Sequence, residues 1–182
     1  MTREEFSSSV AVLPLSDSFD LNEFDCGEED LNDFLHNESR LYEDALIAAT
    51  YLVVSLSTRK VLAYFSLAND KISLSDFESK TEFNRFRKQK FVNEKRLRSY
   101  PALKIGRLAI DKTMRNQSIG TYLLEYVSSM MVDERKSGCR FVTVDAYVDA
   151  IPFYIKNDYQ FLNNDDEDKN TRVMYFDLVS LL

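Results

Sequence analysis

The chain has few of the residues that build disulfide frameworks and metal sites. Its 182 residues include two cysteines, one histidine and no tryptophan. Cys26 and Cys139 form neither a C-x-x-C pair nor a zinc-binding spacing, and His36 is the only imidazole. A metal site therefore lacks ligands, and we expect none. We interpret both cysteines as small buried apolar residues, and His36 as a solvated surface residue.

Long apolar runs and the motifs of several enzyme classes are also missing. The longest apolar run, residues 45–56, is too short to span a bilayer, and the opening MTREEFSSS lacks the apolar core of a signal peptide. We therefore predict a cytoplasmic protein. No G-x-S-x-G, Walker A, H-E-x-x-H or G-x-G-x-x-G motif occurs, so hydrolase, P-loop, zincin and Rossmann functions lack their key residues.

Glycine and proline are scarce, with four and three copies, and no linker rich in them divides the chain. Hydrophobic residues make up 45% of the sequence, which suffices for a substantial core, so we predict one domain over residues 1–182. The order of elements fits an α/β or α+β layer fold with one sheet and flanking helices. The predicted strands are residues 10–15, 50–57, 61–68, 103–110, 141–146, 161–163 and 172–178. The predicted helices begin at residue 25 or 27 and then cover residues 38–48, one or two stretches within 73–98, residues 119–136 and residues 150–157.

Charge is distributed unevenly around a net value of −7. Residues 80–98 hold eight basic side chains against two acidic ones. This segment is either a solvated helix face or a docking patch for a polyanion, such as tRNA or the phosphates of a cofactor. The overall negative charge disfavours nucleic acid as a partner, since binding it requires several phosphate contacts. We interpret the acidic residues 165–168 as a solvated turn.

The most informative segment is residues 105–124, IGRLAIDKTMRNQSIGTYLL. It predicts a strand, a short loop and a long amphipathic helix. Because the first N–H groups of that helix face the loop with the positive end of the helix dipole behind them, the loop is suited to bind a pyrophosphate through its backbone. The apolar face of the helix is marked by Ile119, Tyr122, Leu123, Tyr126, Val127, Met130 and Met131.

The loop resembles the coenzyme A loop of the GCN5-related N-acetyltransferases (the GNAT superfamily), whose pattern is Gln/Arg-x-x-Gly-x-Gly/Ala. Here the pattern is Arg115-x-x-Ser118-x-Gly120, with Ser118 where the first glycine is usual. Serine keeps the backbone N–H and adds a hydroxyl, but it also adds a Cβ.

Three further segments follow the same family in the same order. The opening FDCG of residues 24–27, followed by LNDFL at 31–35, resembles the start of a GNAT branch that contains tRNA-acetylating toxins, and GRLAID at 106–111 resembles that branch's central strand. Residues 153–159 resemble the late FYxxxGF element, with Asp158 in place of glycine and Tyr159 in place of phenylalanine. Aspartate is among the residues that best tolerate a left-handed helix end.

The resemblance implies a mixed, largely antiparallel sheet with one splayed parallel pair and helices on both faces. It also implies acetyl-CoA as co-substrate and direct acetyl transfer to a primary amine, with backbone N–H groups of Leu108 or Ile110 polarising the thioester carbonyl. Tyr154 would be the general acid, because a phenol with a pKa near ~10 stays protonated beside a thiol with a pKa of ~8.5. The implied cofactor-binding residues are Leu108, Ala109, Ile110, Arg115, Asn116, Gln117, Ser118, Ile119, Gly120 and Thr121.

Several questions stay open at the level of sequence. Asp145, Tyr147, Glu43 and Asp44 are candidates for a general base, although each is more commonly structural or solvated. The acceptor is aminoacyl-tRNA, a small amine or a protein amine. A homodimer and, for a toxin-like protein, an antitoxin partner are further expectations. The alternative function is a non-catalytic acyl-CoA-binding sensor or interaction module of the same fold.

Overall fold

The described part of the chain contains seven strands and six α-helices. The computed structural model describes residues 3–91, 97–115, 118–134, 137–164 and 170–182. The strands are β1 (Val10–Pro14), β2 (Ala49–Ser55), β3 (Val61–Ser73), β4 (Ser99–Ile110), β5 (Phe141–Tyr147), β6 (Gln160–Phe161) and β7 (Thr171–Asp177). The helices are α1 (Arg3–Ser9), α2 (Glu29–Asp33), α3 (Ser39–Asp44), α4 (Lys80–Lys90), α5 (Ile119–Glu134) and α6 (Ile151–Lys156).

The strands form one sheet in the order β1-β2-β3-β4-β5-β7-β6. The pair β4–β5 is parallel and the sheet is otherwise mostly antiparallel. A parallel pair needs a crossover between its strands, and α5 lies in that connection. The predicted mixed sheet is confirmed, as is the predicted hairpin, in which β2 and β3 pair antiparallel.

Contacts divide the chain into two compact units. The first contains residues 1–68 and 105–127. Its core joins the first strands to the segment before α2, so that Phe24 and Cys26 of the FDCG sequence are buried side chains of this unit. The hydroxyl of Tyr64 also donates to the carbonyl oxygen of Leu31 over 2.6 Å. The buried residues of this core are Leu15, Leu21, Phe24, Cys26, Phe34, Leu35, Leu52, Val54, Val61, Tyr64 and Ala109.

The second unit contains residues 69–104 and 128–182. Its core is largely aromatic, and α4 supplies Phe83 and Phe86 to it. The ring centroid of Phe86 lies 5.6 Å from that of Phe141 on β5 and 5.3 Å from that of Tyr175 on β7. Phe83 and Phe86 therefore mark a buried face of α4, and the partly buried Phe77 and Phe91 pack against the same core from the segments on either side of the helix.

The N-terminal helices differ from the prediction. The helix α1 was not predicted, and the first predicted helix begins as α2 at Glu29, later than expected, because Asp25, Cys26 and Gly27 form a turn whose hydrogen bonds go to Asn32 and to residues beyond β4. A π-helical stretch, Phe34–Glu38, connects α2 to α3. The second predicted helix, residues 38–48, ends at Asp44, because the chain reverses through Leu46 at φ 56°.

Several smaller predictions have mixed outcomes. Both cysteines are free, but only Cys26 is buried, whereas Cys139 is half-buried. Burial raises the pKa of both thiols, which favours the unreactive protonated form. His36 is exposed, as expected. The acidic residues 165–168 lie outside the described residues.

None of the helices in the described ranges combines the length and the apolar composition that crossing a membrane requires.

Candidate functional site

The residues that lead from β4 to the predicted pyrophosphate loop are bonded to the FDCG loop, which we define as residues 24–27. The N–H of Asp25 donates to a carboxylate oxygen of Asp111 over 3.1 Å. In return, the N–H of Lys112 donates to the carbonyl oxygen of Asp25 over 2.9 Å. These bonds fix the exit of β4 against a loop that is more than eighty residues earlier in the sequence.

The carboxylate of Asp25 is the most heavily engaged group in this region. It accepts from Lys112 Nζ at 2.6 Å, from Asn32 Nδ2 at 2.8 Å and from the N–H of Gly27 at 2.8 Å. In that order, these three donors hold the pKa of Asp25 well below its usual range. The hydrogen bond with the Asp25 carboxylate also raises the pKa of Lys112. Both side chains are partly exposed, so solvent screens the ion pair and its contribution to stability is modest. The pair also fixes the position of Lys112 against the FDCG loop.

Asp111 closes the strand and begins the next turn. Its Oδ1 accepts from the N–H of Thr113 at 2.9 Å and from the Thr113 hydroxyl at 2.6 Å, which caps the short 3-10 segment Lys112–Met114. Burial raises the pKa of Asp111, but the hydrogen bonds from Thr113 and from the Asp25 N–H outweigh it, so the pKa lies below its usual value. The last residue of the GRLAID sequence is thus an ionised cap.

Arg115, the first residue of the predicted loop, is bonded backwards to the FDCG loop. Its Nη2 donates to the carbonyl oxygen of Cys26. Gly27 follows with φ 81°, and a Cβ built on it would lie 2.9 Å from Arg115 Nη2. The positive φ therefore favours glycine at this position, and a Cβ there would also require the guanidinium of Arg115 to shift.

The helix α5 begins as the sequence predicts. Ser118 adopts φ 58°, and its carbonyl oxygen accepts from the N–H of Tyr122 over 3.1 Å, which is the geometry of a first helical turn. Ile119 and Gly120 are buried, and Thr121 is half-buried. The N–H groups of this first turn have no partner inside the helix. Asn116 and Gln117 lie outside the described residues.

The left-handed backbone explains the family's preference for glycine at position 118. A non-glycine residue in this conformation costs on the order of 1–2 kcal/mol. Ser118 keeps the same backbone direction as a glycine would, so the turn into α5 is retained at that cost.

The orientation of the β4 backbone can be inferred from its last partner in β3. The N–H of Asp111 donates to the carbonyl oxygen of Leu62 over 2.9 Å. Because N–H directions alternate along an antiparallel strand, we infer that the N–H of Ala109 also faces β3. The N–H groups of Leu108 and Ile110 then face away from β3.

Tyr154 lies on α6 and is 7% exposed. The helix carries Pro152 in its first turn, as predicted, and the N–H of Tyr159 donates to the Tyr154 carbonyl oxygen over 3.0 Å where the helix ends. Asp158 adopts φ 63°, which confirms the expected left-handed helix end. Burial raises the pKa of Tyr154 to about 12, so the phenol stays protonated at neutral pH.

The general-base candidates from the sequence have different surroundings. Glu43 accepts from the N–H of Thr50 over 2.8 Å and so has a structural role. Asp145 is paired with Lys104 Nζ at 2.5 Å. Asp44 and Tyr147 are exposed.

The basic segment is less available than its sequence indicates. Arg87 is 9% exposed, donates to Asn84, and lies with its guanidinium 5.3 Å from the Phe83 ring centroid. Lys90 Nζ lies 3.5 Å from an Asp177 carboxylate oxygen. Lys95 and Arg96 lie outside the described residues. The exposed basic residues that remain are Lys80, Arg85, Lys88 and Arg98.

Comparison with known proteins decides the family. A family model described as "Acetyltransferase (GNAT) domain" matches residues 78–178, more than half of the 182 residues. The chain belongs to the GNAT acetyltransferase family.

Solved structures of the same fold match nearly the whole chain. A tyrosine-to-phenylalanine mutant of KacT is 26% identical, with a TM-score of 0.74, and the match covers 95% of this chain and 97% of that one. The toxin AtaT in complex with acetyl-methionyl-tRNAfMet is 25% identical, with a TM-score of 0.75 and coverages of 94% and 96%. AtaTR bound with AcCoA is 22% identical, with a TM-score of 0.76 and 96% of each chain covered, and it is similar in fold.

The bonding partners of the FDCG loop were not predicted. The FDCG and GRLAID sequences resemble family signatures, but neither sequence indicates a contact with the other. The signal was the scarcity of glycine, because one of only four glycines stands in this loop, at position 27.

We predict that Asp25→Asn lowers the melting temperature at pH 7, because the ion pair with Lys112 is lost. A carboxylate with a lowered pKa stabilises the fold above its unfolded pKa of ~3.9, and this contribution disappears as the pH falls towards the folded-state pKa. The difference between variant and wild type should therefore narrow below pH ~3.9 in thermal melts from pH 7 to pH 2.5. Asp44→Asn, at an exposed aspartate, is the control. If the difference in melting temperature stayed constant across that pH range, the ionised Asp25 would not be the stabilising group.

Proposed function

We propose that this GNAT protein is an acetyl-CoA-dependent N-acetyltransferase that moves an acetyl group directly to a primary amine. The observation that carries the proposal is the left-handed backbone of Ser118 at the start of α5, a conformation that glycine adopts without steric cost and that is present here although the glycine usual in a coenzyme A loop is absent. Membership of the family and the AcCoA-bound neighbour of the same fold support it.

The cofactor would be held mainly by backbone groups. The N–H groups at the start of α5, at Ser118, Ile119, Gly120 and Thr121, would bind the pyrophosphate with the helix dipole behind them. Gly120 is buried, so a larger side chain there would compete with the phosphate or with the core. Asn116 and Gln117 remain proposed contributors on sequence grounds.

The thioester carbonyl would be polarised by an N–H of β4. Leu108 and Ile110 are the candidates, because their N–H groups are directed away from β3 and can stabilise an oxyanion. The N–H of Ala109 would then make no hydrogen bond to the thioester, and Ala109 would only help to position its neighbours Leu108 and Ile110. In the reaction the amine nitrogen bonds to the carbonyl carbon, the carbon–sulfur bond breaks, and the leaving thiolate needs a proton.

Tyr154 would supply that proton. Its phenol is protonated at neutral pH and lies in a buried environment, where a donated proton stabilises the developing thiolate. The proton lost by the new amide nitrogen leaves the site through solvent or through the acceptor itself. An amine of low basicity, such as the α-amine of an aminoacyl ester, requires no strong base for this step.

The acceptor is proposed within three classes: aminoacyl-tRNA, a small amine or a protein amine. The tRNA complex of AtaT, a 25% identical neighbour, supports the first class. The exposed Lys80, Arg85, Lys88 and Arg98 offer a basic surface, whereas the net charge of −7 opposes it. A cytoplasmic location, a homodimer and an antitoxin partner accompany this proposal.

Replacing Gly120 should abolish cofactor binding. We expect acetyl-CoA to raise the melting temperature of the wild type, and we expect Gly120→Glu to remove this shift, because a carboxylate would face the phosphates. Gly138→Glu is the matched control, since a Cβ at Gly138 meets no heavy atom within 4 Å. If the wild type shows no shift at millimolar acetyl-CoA, the proposed function is wrong.

Replacing Tyr154 should affect chemistry rather than binding. Tyr154→Phe should lower kcat by roughly 10²- to 10⁴-fold, the usual contribution of a general acid, and leave the Kd for acetyl-CoA unchanged. Tyr159→Phe is the control, because it removes a buried hydroxyl from the ring that lies 5.3 Å from Tyr154. Equal kcat values for wild type and Tyr154→Phe would remove Tyr154 from the mechanism.

Labelled acetyl-CoA distinguishes the acceptor classes. Label in the RNA fraction after incubation with bulk charged tRNA, and none with uncharged tRNA, would identify the aminoacyl amine as the acceptor. Label appearing only with small amines or proteins would identify one of the other two classes. Cofactor binding without transfer to any acceptor in a broad panel would favour the non-catalytic alternative.

A further inference from the structure

The FDCG loop holds the side chain of the residue that opens the pyrophosphate loop. Arg115 belongs to the motif that resembles a coenzyme A loop, yet its guanidinium donates to the carbonyl oxygen of Cys26. Gly27 leaves the space that this guanidinium needs, as a Cβ there would lie 2.9 Å from Nη2. In this arrangement Arg115 acts on the N-terminal segment of its own unit.

A second set of bonds connects the same two segments. Lys112 is bonded to Asp25 through both its N–H, at 2.9 Å to the carbonyl oxygen, and its ammonium, at 2.6 Å to the carboxylate. Asp111 accepts from the Asp25 N–H at 3.1 Å. Residues 25 and 26 therefore hold residues 111, 112 and 115 by hydrogen bonds. These three residues lie before, within and after the short 3-10 segment that leads to the pyrophosphate loop.

The inner part of the FDCG loop is itself fixed by the core. Phe24 and Cys26 are 3% exposed. The N–H of Cys26 donates to Asn32 Oδ1 at 2.9 Å, and Asn32 Nδ2 donates to Asp25 at 2.8 Å. The loop is thus a rigid support that extends from the buried core of the first unit to the start of the predicted phosphate site.

We propose that the FDCG loop positions the pyrophosphate loop for acyl-CoA, and that Arg115 contributes through the Cys26 carbonyl rather than as a phosphate ligand. This inference rests on the proposed function. The physical reason is preorganisation: backbone N–H groups bind an anion well only if the loop that carries them is already ordered, and ordering it at binding costs affinity. The bonds at residues 111, 112 and 115 fix the segment that enters that loop before the cofactor arrives.

The test uses substitutions on both sides of the contact, measured by calorimetric titration with acetyl-CoA and by steady-state kinetics. Gly27→Ala and Arg115→Ala should each weaken acetyl-CoA binding by roughly tenfold, within the usual range of coupling between sites. The combined variant should lose less than the product of the two separate effects, because Gly27→Ala has no guanidinium to displace once Arg115 is alanine. Gly138→Ala, where a Cβ meets nothing within 4 Å, is the matched control.

Kinetics and salt dependence separate positioning from direct phosphate binding. For a positioning role, the KM for acetyl-CoA rises while kcat at saturation is unchanged, and Arg115→Ala leaves the dependence of Kd on salt as it is in the wild type. A direct contact would instead make the Kd of Arg115→Ala less dependent on salt, and would leave Gly27→Ala with wild-type affinity. Either of those results overturns the proposal.

Lys112→Met provides an independent variant if Gly27→Ala does not fold. It breaks the Asp25 ion pair at a side chain that is 58% exposed, so the fold should persist. We expect a smaller loss of acetyl-CoA affinity with unchanged kcat, and an unchanged affinity would count against the proposal. If the wild type itself fails to bind acetyl-CoA, the proposed function fails, whereas normal wild-type binding with unaffected variants overturns only this inference.

Discussion

The hydrogen bonds between Asp25 and the pair Asp111–Lys112 are the constraint on which the candidate site depends. They join the end of the central strand to the FDCG loop and determine where the chain goes after β4. Since Phe24 and Cys26 are buried beside this turn, hydrophobic packing and polar pairing act on the same four residues. The proposed cofactor loop can then begin from a fixed point.

Apolar periodicity predicted most of this fold, because burial is recorded locally in the sequence. The apolar, β-branched runs of β2 and β3 and the apolar stripe of α5 require no knowledge of distant residues. The FDCG turn could not be predicted in the same way. Asp25 is a suitable residue to begin α2, but its partner Lys112 lies 87 residues away, so nothing nearby in the sequence shows that Asp25 belongs to a turn instead. The predicted start of α2 is therefore too early.

At two positions where the family pattern has glycine, this chain has another residue but keeps a left-handed backbone. Ser118 and Asp158 adopt φ values of 58° and 63°, the region that glycine enters without steric cost. Arg59 and Leu46 do the same in turns outside the candidate site. The chain therefore accepts backbone strain in place of glycine, so that a missing glycine in the motif does not indicate a missing turn.

A count of basic residues overestimates the surface that this protein offers to a polyanion. Arg87 and Lys90 belong to the residues 80–98 that suggested a docking patch, yet they pack against aromatic rings of the second unit and bond to its polar groups. Packing of this kind uses the long apolar stems of basic side chains and leaves the charge close to protein acceptors. If the acceptor is an aminoacyl-tRNA, phosphate contacts from the described part of this segment would have to come from Lys80, Arg85, Lys88 and Arg98, because Arg87 and Lys90 are already paired within the protein.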